Sequence, residues 1–576
     1  MTNGVIGIHE GHNAAAAFVE DGCLVFALQE ERLTRVKNQG GLPKRALGEL
    51  AEKFIEGRMI GSDIRFGYGA AAIIASCWER DDLIRAYEIS SPDLMNQFKR
   101  FGRKNATLAD LIDRRRAEKM AAELSSVLRK PSLEMTRLDH HLCHAAAAYF
   151  GWGETDEKVL VVTCDGSGDG VCATVSVGYK GQIQRIAKVE ETHSIGRLYA
   201  NVTYLTGMVP LEHEYKLMGL APYAEKSRES CALATELESC FEFDPKKPLV
   251  WRRRSGCPPM QYASAFLANV LRRKRFDHVA AGVQMFLERF LVRWIRTCVL
   301  ETGIGKVALS GGVFMNVKAN QRILEIPELE ELFVFPSCGD ETNAIGVAWF
   351  LYNQLFKRMP FPLTHLYWGP DYDGHRAEEA LSKCRFQSAV RVEQLKDIEK
   401  RLAEILSHGN IVARYKGKVE FGARALGNRS ILANPSYASS VREINEMIKC
   451  RDFWMPFAPS VLTERSSDYF LKPKPMKAPY MMITFDSCPE KRNKMIAAIH
   501  PHDYTGRPQE VDEQSNPDYY KLLKHFEDMT GEGIILNTSF NLHGEPIVCT
   551  PEDALRVFDV SGLRYLALGD FLLSKC

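Results

Sequence analysis

The chain lacks a surplus of charge of either sign: across 576 residues, 74 Lys and Arg stand against 73 Asp and Glu, a formal net charge of +1. That balance weakens any reading built on nucleic acid or an acidic membrane surface, which needs a basic surplus. Local basic runs such as Arg252-Arg253-Arg254 and Arg272-Arg273-Lys274-Arg275 read as solvated surface. No run of about 18 apolar residues occurs, so no membrane-spanning helix is expected. The start of the chain, MTNGVIGIHEGHN, lacks the basic and apolar segments of a secretory signal. The 15 cysteines include no C-x-x-C pair, which argues against a zinc ribbon or a thioredoxin-like motif. Their odd number without a secretory start favours a reducing compartment, and a cytoplasmic location is expected. At 45% hydrophobic and 26% charged residues the composition is that of a globular protein. Its length suggests about three to five domains or one very large one.

What is present is a series of apolar strands that run into small polar or glycine-rich loops. Val5–Ile8, Ala14–Val19 and Cys23–Leu28 read as three strands, with a turn at Glu20-Asp21-Gly22 and a polar loop from His9 to Asn13. Val159–Thr163 runs into Cys164-Asp165-Gly166-Ser167-Gly168-Asp169-Gly170, then a strand from Val171 to Tyr179. Val307–Leu309 leads into Ser310-Gly311-Gly312-Val313-Phe314-Met315-Asn316. Glycine lets backbone approach a ligand closely, and three such loops suggest a nucleotide held between two half-domains. Helical spacing covers Ala117–Arg129 and His278–Leu300. Strands mixed with helices mean α/β or α+β layers. Pro, Gly and Asp density marks a linker at 361–375, separating residues 1–360 from 376–576, where a helix (Ala377–Cys384) and a strand (Val390–Val392) begin a new unit. No internal repeat stands out.

His140 and His144 lie four apart in a helix-favouring stretch, Asp139-His140-His141-Leu142-Cys143-His144. Residues at that spacing share a helix face and can share one cation. Two imidazoles need carboxylates to complete a Zn²⁺ or Fe²⁺ site, and Asp165 and Asp340 are the candidates. Further along, Glu420–Ser430, Ile448–Pro459, His500–Gln509 and Leu536–Ile547 each mix cations or small polar donors with Gly and Pro. Guanidinium donors match phosphate bidentately, and four such stretches argue for a phosphate-binding site.

Longer strings make a resemblance specific: EERLTRVKN, DHHLCHAAAAYF, CDGSGDG, EYKLMGLAPY, SGGVFMNV, EFGARALGNRSILANP, IKCRDFWMPFAPSV and LNTSFNLHGEPIVCTPEDAL. They run from Glu30 to Leu555 and resemble the O-carbamoyltransferase family of nodulation, cephamycin and tobramycin type. The resemblance implies an N-terminal domain of actin/hexokinase-like, Kae-type fold followed by a C-terminal YrdC-like α/β domain. It implies that the C-terminal domain makes carbamoyl adenylate from carbamoyl phosphate and ATP, taken with Mg²⁺. The N-terminal domain would then pass the carbamoyl group to a hydroxyl of a small molecule.

The same resemblance assigns residues. His140, His144, Asp165 and Asp340 would hold a divalent metal, with iron expected. Gly166, Gly168, Gly311, Gly312 and Asn316 would form the nucleotide loops. Arg424, Lys449, Arg507, Asn537 and Ser539 would bind carbamoyl phosphate, with Met481 as a wall. His12 and Lys37 would lie at the transfer site. His12 is the first candidate for the base that takes the acceptor proton, histidine being the side chain that titrates near neutrality; a loop histidine that only binds phosphate is the other reading.

The family's usual Gly-Pro-Arg is Gly-Ala-Arg here, with Ala423, which loses a rigid φ but no donor. Its usual Arg-Pro is Met455-Pro456, which removes one cation. The absence of zinc-finger cysteines and of an acylphosphatase-length leading segment points away from a protein cysteine as acceptor. Acceptor contacts are expected in 60–115 and 180–275, where aromatics such as Trp78, Tyr199 and Trp251 either stack on the acceptor or fill the core. Neither a nucleic-acid nor a membrane partner is expected, and monomer and homodimer stay open. Two other readings remain: a threonylcarbamoyl-type enzyme acting on tRNA, disfavoured by the charge balance, and a sugar-kinase-like nucleotide-binding protein, which leaves the C-terminal third unexplained.

Overall fold

A computed structural model describes residues 3–55, 64–69, 118, 122–123, 125–126, 135–154, 156–372 and 374–576. Most of the expected helix Ala117–Arg129, the expected acceptor region 60–115 apart from 64–69, with its Trp78, and Asp373 of the expected linker lie outside the described residues. The chain forms two compact units: Met1–Glu30 with Asn38–Leu363, and Glu31–Lys37 with Thr364–Cys576.

The first unit repeats one sheet topology. Strands β1 (Gly4–His9), β2 (Ala15–Glu20), β3 (Cys23–Gln29), β4 (Ile64–Gly69) and β5 (Met135–Leu138) stand in the order β3-β2-β1-β4-β5. The first three are antiparallel neighbours, while β4 and β5 run parallel to β1. Strands β6 (Val159–Gly168), β7 (Val171–Tyr179) and β8 (Gln182–Glu190) form the same meander. A hairpin follows, β9 (Phe241–Asp244) with β10 (Lys247–Arg253). Then β11 (Lys306–Ser310) and β12 (Glu331–Val334) add in parallel to β6, giving β12-β11-β6-β7-β8. Order, direction and sequence of connection are the same in both sheets. This duplication is the arrangement of the actin/hexokinase-like fold.

Each half ends in a helix that crosses to the other. His140–Trp152 follows β5 and packs on β6 and β11; Asn343–Phe356 follows β12 and packs on β1, β2 and β4. Both carry small or aliphatic residues all round because both are covered on most sides: Cys143, Ala145–Ala148 and Ala344, Ile345, Val347 and Ala348 are buried. The two helices approach closely at Gly346, where a Cβ would stand 1.9 Å from the carbonyl oxygen of Cys143. Crossing in this way brings both helix starts, and the ends of β1 and β6, to one place. The long helix expected over His278–Leu300 spans Phe276–Thr302. Trp251 and Tyr199 are core: Trp251 stacks edge-on against Trp294 at 4.6 Å, and Tyr199 donates to Gln284 Oε1 at 3.0 Å.

The second unit is built on a mixed sheet. Its strands are β13 (Val390–Gln394), β14 (Val412–Tyr415), β15 (Arg429–Ala433) and β16 (Ala458–Leu462). After a small separate sheet of β17 (Phe470–Leu471), β18 (Phe485–Ser487) and β19 (Thr505–Gly506) come β20 (Gln509–Val511), β21 (Ile534–Ser539), β22 (Tyr565–Leu568) and β23 (Phe571–Lys575). The main order is β13-β23-β22-β14-β15-β21-β16-β20. Helices Ile398–Ser407 and Pro517–Thr530 pair on it, burying Leu402, Leu406, Leu522 and Phe526 with Val412 and Ile535. At about 1.5–3 kcal/mol for each fully buried aliphatic or aromatic side chain, this layer holds β14, β15 and β21 rigid, and their ends carry the polar site.

Candidate functional site

In the first unit, His140 and His144 lie one turn apart at the start of their helix, whose N-cap Asp139 accepts from Leu142 N at 2.9 Å. Asp165 stands on β6 and Asp340 in the short turn before the second crossing helix. Their four ligand atoms lie within 4.8 Å of one another. His140 Nε2 is 3.2 Å from Asp165 Oδ2 and 3.4 Å from Asp340 Oδ1; His144 Nε2 is 3.4 Å from each of the same oxygens. His141 points away, bonding Thr163 Oγ1 at 2.8 Å and the Val171 carbonyl at 3.0 Å.

The electrostatics of this cluster follow from burial. Burial disfavours a charge on His140, yet Asp340 and Asp165 outweigh it and raise its pKa to about 10. For His9, at the end of β1, burial outweighs the pull of Asp340 and lowers its pKa to about 3, and its Nε2 lies 3.2 Å from the His12 carbonyl. The two carboxylates therefore call for positive charge between the imidazoles. Two nitrogens and two carboxylate oxygens converging at these distances fit a divalent cation of borderline hardness.

Glycine makes the room. A Cβ on Gly168 would stand 2.2 Å from the His140 ring, and one on Gly312 would stand 2.9 Å from Asp165 Oδ1. Gly311 has φ +105°, a conformation L side chains rarely adopt, and its N–H donates to the Cys338 carbonyl at 3.0 Å. Gly166 N donates to Asp165 Oδ1 at 2.6 Å. Asn316 caps the helix Val317–Leu324 and exchanges amide hydrogen bonds with Gln284 at 2.8 and 3.0 Å. His12 Nδ1 lies 3.4 Å from Asp340 Oδ2, so this expected transfer-site residue adjoins the cluster. His9, which composition and spacing did not single out, lies 3.8 Å from the same oxygen.

The second unit gathers cations. Lys449 is buried, with Nζ donating to Ser539 Oγ at 3.0 Å and Asn541 Oδ1 at 2.7 Å. Burial, then Arg451 and Lys37, push its pKa well below the usual lysine range. Arg507 is likewise depressed by burial and by Arg424 and Arg451. Among the described residues, the hydrogen-bond partners of Lys449 are the neutral Ser539 and Asn541, and the charges that act on it and on Arg507 are cations. Arg451 donates to Thr538 Oγ1 at 3.2 Å. Asn537 Nδ2 bonds Ser460 Oγ and Gln509 Oε1 at 3.0 Å each, and its Oδ1 is buried without a hydrogen-bond partner. Met481 is buried and left-handed at φ 57°, an uncommon conformation for a side-chain-bearing residue. Arg424 sits in a loop tied down by Glu420, whose Oε1 accepts from the backbone N–H of Leu426, Asn428 and Arg429 at 2.9–3.0 Å.

Lys37 departs from expectation in its placement. The expected boundary put it in the N-terminal domain, but Glu31–Lys37 belongs to the second unit. Arg35 Nη1 donates to the Ile547 carbonyl at 2.6 Å and Nη2 to the Pro546 carbonyl at 2.7 Å, while Arg32 bonds the Gly422 carbonyl. Lys37 acts on Lys449 as a charge. Sequence reasoning also passed over Arg451 and Asn541, although both fall inside the quoted strings.

Comparison with known proteins agrees with the strings. The family model described as carbamoyltransferase N-terminus matches residues 4–349, and that described as carbamoyltransferase C-terminus matches residues 403–575. An uncharacterised Synechocystis protein is 32% identical over 98% of this chain and 95% of its own length. Nodulation protein NolNO of Sinorhizobium fredii is 31% identical over 100% of this chain and 82% of its own. The 3'-hydroxymethylcephem-O-carbamoyltransferase of Streptomyces clavuligerus is 26% identical over 62% of this chain and 63% of its own. Among solved structures, full-length HypF in its phosphate- and nucleotide-bound form overlaps 62% of this chain and 56% of its own with 14% identity and a TM-score of 0.33. Among the described residues no helix is long and apolar enough to cross a membrane.

Proposed function

The chain belongs to the carbamoyltransferase family, and from that premise we propose that it is an ATP-dependent O-carbamoyltransferase acting on a small-molecule hydroxyl. In the second unit, carbamoyl phosphate, ATP and water give carbamoyl adenylate, phosphate and pyrophosphate. In the first, the adenylate and an acceptor alcohol give a carbamate ester and AMP. The name of the cephem relative, which carries a hydroxymethyl acceptor, supports a hydroxyl as nucleophile.

The observation that carries the reading is the gathering of Lys37, Arg424, Lys449, Arg451 and Arg507, in which burial first, and then the neighbouring cations, depress Lys449 and Arg507. Cations gathered around a buried ammonium are costly on their own, and the arrangement becomes favourable once a multiply charged anion joins them. Fixed donors of this kind also stabilise charge that develops as phosphate leaves. Ser539 and Asn541 orient the Lys449 ammonium, and the free Asn537 Oδ1 suits the carbamoyl NH₂.

In the first unit His140, His144, Asp165 and Asp340 would hold the metal, Fe²⁺ in this reading. Bound there, it would supply Lewis acidity toward an acyl or phosphate oxygen. In this reading Gly166, Gly168, Gly311 and Gly312 form the loops that would receive the nucleotide phosphates, and Asn316 caps the helix that follows the second of them. His12 is the group that takes the acceptor's proton at Nε2, its Nδ1 facing Asp340.

The test is pyrophosphate release by the whole protein with ATP and Mg²⁺, with and without carbamoyl phosphate, and with Arg507→Ala as control. Release that requires carbamoyl phosphate and is lost in the variant supports the reading. Release of ADP instead, or carbamoyl-phosphate-independent turnover, overturns it in favour of a kinase-like activity.

A further inference from the structure

Two buried side chains stand behind the histidines of the cation cluster. His144 Nδ1 lies 3.3 Å from Ser310 Oγ, and His140 Nδ1 lies 3.4 Å from Asn343 Nδ2. Both Nε2 atoms face Asp165 and Asp340. An imidazole that offers its Nε2 lone pair to a cation must carry its proton on Nδ1. That Nδ1–H needs an acceptor. Ser310 Oγ provides one for His144.

For His140 the neighbouring amide has its nitrogen toward the ring, while Asn343 Oδ1 is buried with no hydrogen-bond partner. A half-turn about Cβ–Cγ exchanges these nearly isosteric groups. It places Oδ1 on Nδ1–H and removes the clash of two donors.

We infer that Asn343 and Ser310 are positioning residues of the cation site, holding His140 and His144 in the Nδ1–H form so that both Nε2 lone pairs converge; the inference rests on the proposed metal site. Each positions its histidine from an element that also carries a functional group: Asn343 follows Asp340 by three residues, and Ser310 opens the Gly311-Gly312 loop. The pairing therefore links ligand orientation to the two loops that flank the site.

The experiment titrates the metal-stripped full chain with Fe²⁺ under argon, and with Zn²⁺, against a chromophoric chelator. Asn343→Leu and Ser310→Ala should weaken binding about 10–100-fold, whereas Asn343→Asp, which keeps an acceptor, should bind within about threefold of wild type or tighter. Wild type binding tightly with Asn343→Leu and Ser310→Ala unchanged overturns the inference alone. Asn343→Asp as weak as Asn343→Leu also overturns it, because the effect would then be one of packing. Wild type binding no better than His144→Ala overturns the metal site and the inference with it. Should Asn343→Leu lose its cooperative thermal transition, Ser310→Ala decides by the same criterion.

Discussion

The His140 cluster and the Lys449 cluster are opposite deficits. Around His140, two carboxylates are brought against two imidazoles, and the imbalance is a demand for positive charge that raises His140 to about 10. Around Lys449, cations crowd together while its own hydrogen-bond partners are the neutral Ser539 and Asn541, and burial first, then the neighbouring cations, depress Lys449 and Arg507. Both are expensive in the empty protein. The difference teaches that the two units make opposite electrostatic demands, which in the proposed function a cation meets in the first and a phosphate-bearing anion in the second.

The sharpest way to break the comparison is to remove one charge from the second cluster. Arg507→Ala should reduce pyrophosphate release about 10²–10³-fold, the scale of a lost charged donor at a developing anion. The same variant, without anion, should melt no lower than wild type, because it relieves repulsion. A clear fall in melting temperature with release intact would mean that Arg507 is a structural cation.

Next in size is a steric test of the first cluster. Gly168→Ala puts a methyl group 2.2 Å from the His140 ring. Overpacking costs about 1–3 kcal/mol, and the displaced ring should weaken Fe²⁺ binding about tenfold or more while Lys449 chemistry, read as pyrophosphate release, stays intact. Unchanged metal affinity would show that the ring has room to retreat.

Much of this was legible beforehand, for reasons that differ by element. The opening strands were readable because β-branched and alanine runs are cut by Glu20-Asp21-Gly22, and the structure gives Gly4–His9, Ala15–Glu20 and Cys23–Gln29. The loop expected at Cys164–Gly170 is instead largely strand: β6 continues to Gly168 through an irregularity between Cys164 and Gly168, since its glycines tolerate extended pairing as readily as a turn. The repeated sheet order was invisible because the two halves repeat connections, not residues. His140 and His144 were found by helical spacing. Asn343 and Ser310 could not be, since an amide or hydroxyl behind a ligand has no spacing rule. That Glu31–Lys37 groups with the second unit was not legible, because a seven-residue excursion leaves no mark in composition.

That excursion offers a smaller test. Arg35, itself left-handed at φ 64°, holds the segment through the Ile547 and Pro546 carbonyls and through Glu545 and Asp553 at 3.4 and 3.5 Å. If its role is to keep Lys37 near Lys449, Arg35→Ala should raise KM for carbamoyl phosphate about five- to tenfold with kcat little changed, the worth of one loosened charge contact. An equal fall in kcat with KM constant would make Arg35 a scaffold for something other than anion binding.

The smallest effect is a fraction of a proton, and it separates the clusters by sign. Lys449 in the folded, anion-free protein titrates below its unfolded value, so between the two the unfolded chain holds more protons and stability rises with pH. A bound anion restores the ordinary affinity for the proton, so binding of inorganic phosphate, measured over a pH series between the folded and the unfolded Lys449 value, should take protons up. His140 is the reverse: its pairing contributes stability that is fully present below about pH 6.5 and lost as pH rises toward 10. A metal must displace that proton, so Fe²⁺ binding over the same series should release protons. Calorimetry in two buffers of different ionisation enthalpy reads both signs. Lys449→Arg should abolish the uptake, because a guanidinium stays charged, and leave the release untouched. Two signs alike would mean that one cluster is neutral in the empty protein, and the opposition between the two sites would fail at the cluster whose sign is wrong.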